Sequence, residues 1–169
     1  IIPVMVNNIN TPAFVQTLDT LNLSEDESVS IMSMEALYNN GFISDIDNNF
    51  NELSFSLEMN SEEISIDWDG QISTAPSLIP NPDVYGEFIL YLCVNDGDNN
   101  TCSENIVVVN PINDSPFITV EEDIFINEGE DLTLASMEQL YSNGDLFDID
   151  TDFDALTYSY EVLTLPLTL

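Results

Sequence analysis

Apolar and polar side chains alternate through much of residues 29–66. Val29 and Ile31, then Leu53, Phe55 and Leu57, then Ile64 and Ile66 recur at every second position, the period of a strand with one buried face. Turn signals separate such runs at Asn40-Gly41, Asp69-Gly70 and Asp96-Gly97, dipeptides that take the backbone through reversals. About seven short strands in about 100 residues predict an antiparallel β-sandwich. One segment breaks the period. Ser33 to Asn40 reads as a single short helix, with Ser33 as N-cap, Gly41 just past its C-terminus, and Leu37 and Tyr38 packed beneath it.

The pattern occurs twice. Ser33-Met34-Glu35-Ala36-Leu37-Tyr38-Asn39-Asn40-Gly41 returns as Ser136-Met137-Glu138-Gln139-Leu140-Tyr141-Ser142-Asn143-Gly144, and Asp45-Ile46-Asp47 as Asp148-Ile149-Asp150, both displaced by 103 residues. Of the 27 positions in 33–59, 14 are identical in 136–162, too many for chance in a chain this short. The same offset aligns Val4–Asn10 with Val107–Asn113 and Glu25 with Glu128. The expected organisation is a tandem array: residues 1–8 as the last strand of one repeat, 9–111 as a complete repeat, and 112–169 as the first half of the next. The chain begins with Ile1-Ile2-Pro3, with no basic segment or cleavage site, and stops mid-pattern at Leu169. It therefore reads as a piece of a longer polypeptide. The longest apolar run, Phe88 to Val94, is too short to cross a bilayer as a helix.

Charge narrows the chemistry. There are 32 Asp plus Glu and not one Lys, Arg or His, a formal net charge of −32. No side-chain salt bridge can form, so every carboxylate must be solvated, hydrogen-bonded, protonated or neutralised by a dissolved cation. Nucleic-acid binding through basic contacts to phosphate is excluded, as is basic adhesion to anionic lipid. A Ser-His-Asp or Cys-His site lacks its base, and no enzyme is expected. Paired carboxylates are consistent with glycoside hydrolysis, but abundant Asp produces such pairs by chance. Ca²⁺ is the cation that prefers all-oxygen ligands, and the composition points to a calcium-dependent protein.

The two cysteines flank the turn Asp96-Gly97-Asp98-Asn99. If Gly97-Asp98 forms a two-residue loop, Cys93 and Cys102 face each other at a non-hydrogen-bonded position, where Cα atoms approach to about 4.5 Å. Leu90, Leu92, Val94, Val107 and Val109 then point inward and both cysteines outward. A cross-strand disulfide and an oxidising compartment are expected; two free thiols in a reducing compartment are the alternative.

Asp148-Ile149-Asp150-Thr151-Asp152-Phe153-Asp154 sets four carboxylates at alternate positions, and Asp45-Ile46-Asp47-Asn48-Asn49-Phe50-Asn51 is its less acidic counterpart. Neither is an EF-hand loop, since Phe153 stands where the sharp-turn Gly is needed and Ser159 where the bidentate Glu is needed. A solvated acidic turn is the plain alternative. The order of segments nevertheless resembles bacterial cadherin-like repeats of large surface proteins. It runs Glu25-Asp26-Glu27, Asp45-Ile46-Asp47, Leu53-Ser54-Phe55-Ser56, Ile64-Ser65-Ile66-Asp67-Trp68-Asp69-Gly70-Gln71-Ile72, Val94-Asn95-Asp96-Gly97 and Val109-Asn110-Pro111-Ile112-Asn113-Asp114-Ser115-Pro116.

The resemblance implies an all-β fold of tandem, Ig-like Greek-key sandwiches with one short helix per repeat, and Ca²⁺ at the junctions between repeats. The second junction would use Asn113, Asp114, Asp148, Asp150 and Asp154 with Glu25 or Glu27, and the first Asn10, Asp45, Asp47, Asn51 and Asp96. Thr11 replaces the linker Asp at the first junction, Pro111 stands at another ligand position, and Leu78-Ile79-Pro80-Asn81 occupies the region of a missing ligand motif. Fewer ions than the family's three per junction are therefore expected, with the first junction weaker. The implied protein is a rigid extracellular spacer at a cell surface, bacterial in source. Its partners are neighbouring repeats of the same polypeptide or further copies in a filament, with no nucleic acid and no direct membrane insertion. A carbohydrate- or surface-binding module using Trp68 and Tyr85, or an accessory β-domain of a secreted hydrolase, are the alternatives.

Overall fold

A computed structural model describes residues 3–5, 9–119 and 127–159 of the chain. The strand expected over 1–8 lies mostly outside them. Helical residues make up only 13% of those described, and the fold is all-β. The chain divides into two compact units, Ile1–Ile112 and Asn113–Leu169.

The first unit runs β1 Phe14–Val15, β2 Leu21–Ser24, β3 Val29–Ser30, α1 Met34–Asn39, β4 Ile43–Ser44, a 3-10 turn Phe50–Glu52, β5 Ser54–Met59, β6 Ile64–Asp67, β7 Ser77–Pro80, β8 Gly86–Asn95 and β9 Asn100–Asn110. One sheet has the order β2-β9-β8-β5 and another β3-β7-β6, with β1 and β4 forming a short pair of their own. Alternation does what it predicts in the long hairpin. Phe88, Leu90, Leu92 and Val94 of β8 and Val107 and Val109 of β9 are buried. Leu23, Ile31, Ile64, Leu78, Phe88, Leu90, Val107 and Val109 form one continuous cluster that takes residues from both sheets, so the sheets pack face to face.

Several details differ from the sequence expectation. β2 runs parallel to β9, with Leu21 opposite Val107 and Leu23 opposite Val109, rather than in an all-antiparallel sheet. These strands are remote in sequence, so no hairpin imposes antiparallel pairing on them. The first unit also has more strands than the period suggested, because the two-residue strands β1 and β4 are too short to show a period. A 3-10 turn accompanies the single α-helix.

That helix is set by its ends. Ser33 Oγ accepts a hydrogen bond from the Ala36 N–H at 3.2 Å, and Gly41 follows at φ +81°, the left-handed conformation that glycine takes without steric cost. Met34 and Leu37 are fully buried, in a second cluster with Ala13, Leu18, Ile43, Leu53, Leu92 and Val94. Beside it, buried Asn105 accepts from the Leu18 N–H at 2.7 Å and donates to the Leu90 carbonyl at 3.0 Å. It thereby fixes the segment before β2 against the hairpin.

The second unit repeats the beginning of the first. β10 Phe117–Ile118, α2 Met137–Asn143, β11 Leu146–Phe147 and a 3-10 turn Phe153–Ala155 lie 103 residues beyond β1, α1, β4 and the turn at Phe50. Even the register recurs: Phe14 opposes Ser44 and Val15 opposes Ile43, while Phe117 opposes Phe147 and Ile118 opposes Leu146. Leu156–Ser159, which the 103-residue offset aligns with Leu53–Ser56, is not a strand. Its counterpart in the first unit pairs with β8, and the described residues of the second unit contain no such partner.

Candidate functional site

At the end of the first unit where the chain enters, three loops converge. The β8–β9 turn places Asp96, buried, with Oδ1 accepting from the backbone N–H of Asn99 at 2.7 Å and of Asp98 at 2.9 Å. The turn after β4 places Asp45, whose Oδ1 accepts from the N–H groups of Asp47 and Asn48, both at 2.7 Å. Asp47 Oδ2 in turn accepts from the Thr11 N–H at 2.7 Å, fastening the entering segment. Asn48 Nδ2 donates to the Asp96 carbonyl at 3.3 Å, tying the first two loops together. Asn10, Asp45, Asp47 and Asp96 are thus gathered at one end. Asn51 is exposed within the 3-10 turn, and nothing in the geometry ties it to them.

The Asp96 carboxyl is held down at about 2 from its ordinary 3.8, chiefly by the Asn99 N–H, against burial that raises it; the Asp98 N–H and the Asn10 and Asn99 amides lower it further. It is ionised at any physiological pH. Two buried oxygens here, Asp45 Oδ2 and Asn48 Oδ1, have no protein hydrogen-bond partner. Buried acceptors without donors are rare because each forfeits its hydration. Carboxylate and amide oxygens suit a hard cation, so the donor set fits Ca²⁺. Asn48 was not among the residues expected from sequence. The only signal was its position three residues after Asp45, where it faces Asp96 only once the loops have met.

Glu25 lies at the opposite end of β9, where the chain leaves the unit. Its N–H donates to the Asn110 carbonyl at 2.9 Å, and its Oε1 accepts from the Ile112 N–H. The residue is 1% exposed, and its Oε2 is buried with no protein partner. β9 is 11 residues long, roughly 35 Å at the rise of an extended strand, so the two acidic groups cap opposite ends of the unit. Glu27 is exposed in the turn after β2.

The second unit rebuilds the entry-end turn. Asp148 Oδ1 accepts from the Asp150 N–H at 3.0 Å and the Thr151 N–H at 2.7 Å. Asp150 Oδ2 accepts from the Asp114 N–H at 2.6 Å, the counterpart of Thr11 on Asp47. Asn113 is exposed and donates through Nδ2 to the Asp114 carbonyl at 2.7 Å. Asp154 is exposed in the 3-10 turn, near enough to Tyr158 to contribute, after burial, to the raised pKa of that phenol.

Cys93 and Cys102 are disulfide-bonded, with Cα atoms 4.0 Å apart, in direct register on the outer face of the β8–β9 hairpin. Trp68 packs against the helix-side core and donates through Nε1 to the Gln71 carbonyl at 3.0 Å, so it is a packing residue rather than an open platform. Tyr85 is 60% exposed. Among the described residues no helix is long and apolar enough to cross a membrane.

No protein-family model matches the chain, and no curated protein matches it. Solved structures with a similar outline include a Bacteroides fragilis NCTC 9343 protein assigned as an alpha-galactosidase, at 8% identity and a TM-score of 0.39. An endo-fucoidan hydrolase from glycoside hydrolase family 107 matches at 16% identity and a TM-score of 0.40. Each match covers 63% of this chain, but only 19% of the first protein and 15% of the second. Similarity this distant carries no functional argument.

Proposed function

We propose that this chain is a calcium-stiffened spacer of cadherin-like, Ig-like Greek-key repeats, part of an extracellular adhesin or filament at a bacterial surface. The observation that carries the reading is the pair of buried, donorless oxygens, Asp45 Oδ2 and Asn48 Oδ1, beside the ionised Asp96 at the entry end of the first unit. A divalent cation would supply the missing partner and cancel repulsion among Asp45, Asp47 and Asp96. Glu25 Oε2 poses the same demand at the exit end, so each end of the unit has a reason to bind an ion. Ca²⁺ held at both ends of every repeat would restrain the linkers and keep an all-acidic chain extended, and the return of the Asp148–Thr151 turn in the second unit fits that pattern. The Cys93–Cys102 bridge suits an oxidising, extracellular setting.

Thermal unfolding with excess Ca²⁺ and with chelator tests the reading. One site at 100 times its dissociation constant should contribute about 2.7 kcal/mol. Asp45→Ala with Asp47→Ala should remove the share of the first unit, and Asp148→Ala with Asp150→Ala that of the second. Identical melting curves in Ca²⁺ and chelator, with unchanged small-angle scattering, would sink it.

A further inference from the structure

β5 and β6 are the outermost strands of their sheets. β5 pairs only with β8 and β6 only with β7 among the described residues, so each presents a free edge. Between them lies an open groove of about 340 Å³. Leu57, Met59, Ile64 and Ile66 supply its apolar lining, and Glu58 and Glu62 stand exposed along it. The connecting loop is pinned to both sheets: the Asn60 N–H donates to the Ile89 carbonyl at 3.0 Å, and the Asn81 N–H to the Glu63 carbonyl at 2.8 Å. The groove is therefore shaped before anything enters it, which lowers the ordering cost of binding.

Free strand edges recruit further strands unless something blocks them. β5 and β6 contain no Pro and no Lys, the usual blocking residues. What protects them from a second copy is charge, since every copy carries −32 and no cation. The same field attracts a strand of opposite sign. We propose that the β5–β6 groove captures an extended Lys- or Arg-bearing segment of a different protein, which adds a strand to the β5 edge, rests apolar side chains on Leu57, Met59, Ile64 and Ile66, and pairs its cations with Glu58 and Glu62. The segment alternates apolar and basic residues, because successive side chains of a strand point to opposite sides. This inference is independent of calcium.

The test uses the whole 169-residue chain and a fluorescent L-peptide alternating Val and Lys, followed by anisotropy at physiological ionic strength. Saturable binding is expected. Glu58→Gln with Glu62→Gln should weaken it about threefold to tenfold, the range for two exposed ion pairs. Glu87→Gln with Glu104→Gln, which removes equal charge from β8 and β9, should leave it unchanged. A peptide of the same sequence with N-methylated valines should not bind, since it lacks main-chain donors. Equal weakening by both double variants would reduce the binding to a diffuse acidic field and overturn the proposal. Undiminished binding of the methylated peptide would overturn strand addition. Absence of saturable binding, or a dimer of the chain that the peptide displaces, would overturn it as well.

Discussion

The helix α1 and its repeat α2 start from nearly the same residues and reach different environments. Both begin at a serine whose Oγ accepts from the third residue onward, Ser33 from Ala36 and Ser136 from Gln139, each at 3.2 Å. Both are followed by a glycine at φ +81°. Yet α1 buries Met34 and Leu37 completely, whereas α2 buries none of its residues. Leu92 and Val94 of β8 share the α1 cluster, and among the described residues of the second unit nothing takes their place against α2. Local sequence makes the helix, and remote strands make it part of a core.

The largest effect expected from this contrast is in packing. Leu37→Ala should destabilise the first unit by about 2–5 kcal/mol, the usual cost of emptying a packed site. Leu140→Ala, half-buried in α2, should cost less than about 1 kcal/mol, as for other sites outside a packed core. Urea unfolding followed through Trp68, the single tryptophan and a neighbour of the α1 cluster, reads the first. Hydrogen exchange along α2 reads the second. Equal losses would mean that the two helices share one environment after all.

A smaller effect distinguishes the caps. Ser33→Ala and Ser136→Ala should each cost about 1 kcal/mol, seen as faster amide exchange in the first turn. Gln139→Ala should add to the loss in α2 alone, because Gln139 Oε1 accepts from the Ser136 N–H at 2.9 Å while Ala36 has nothing to return. If Gln139→Ala left exchange unaltered, the reciprocal cap would have no energetic weight.

The finest difference is in pH. The Asp96 turn belongs to the first unit, and its carboxyl is lowered from 3.8 to about 2 in the fold. A lowered carboxyl stabilises the fold above its unfolded pKa and loses that stabilisation as pH falls through its folded value. The first unit should therefore weaken between pH 3.8 and about 2, and Asp96→Asn should flatten that part of the acid limb in chelator. Superimposable acid titrations of Trp68 fluorescence for the two proteins would show that the turn does not couple to folding.

Much of this was legible beforehand because the signals are local. Alternation fixed which faces of β8 and β9 turn inward, the serine and glycine bounded α1, and equal spacing about Gly97-Asp98 paired Cys93 with Cys102. β1 and β4 escaped notice because two residues have no period, and the parallel pairing of β2 escaped because nothing nearby encodes a partner 86 residues away at Val107. The candidate site divides the same way. Asp45, Asp47, Asp96 and Glu25 were candidates only through the resemblance in segment order, and Asn48 was not a candidate at all.

By itself, then, the sequence determined the sign of every ionised side chain, the helix ends and the turns, since each depends on a residue or its immediate neighbours. Only the tertiary structure decided which carboxylates share an end of the unit, which oxygens are buried without a donor, and which strand edges stay open. Those outcomes depend on where segments dozens of residues apart come to rest, and that is set by packing the two sheets over one core.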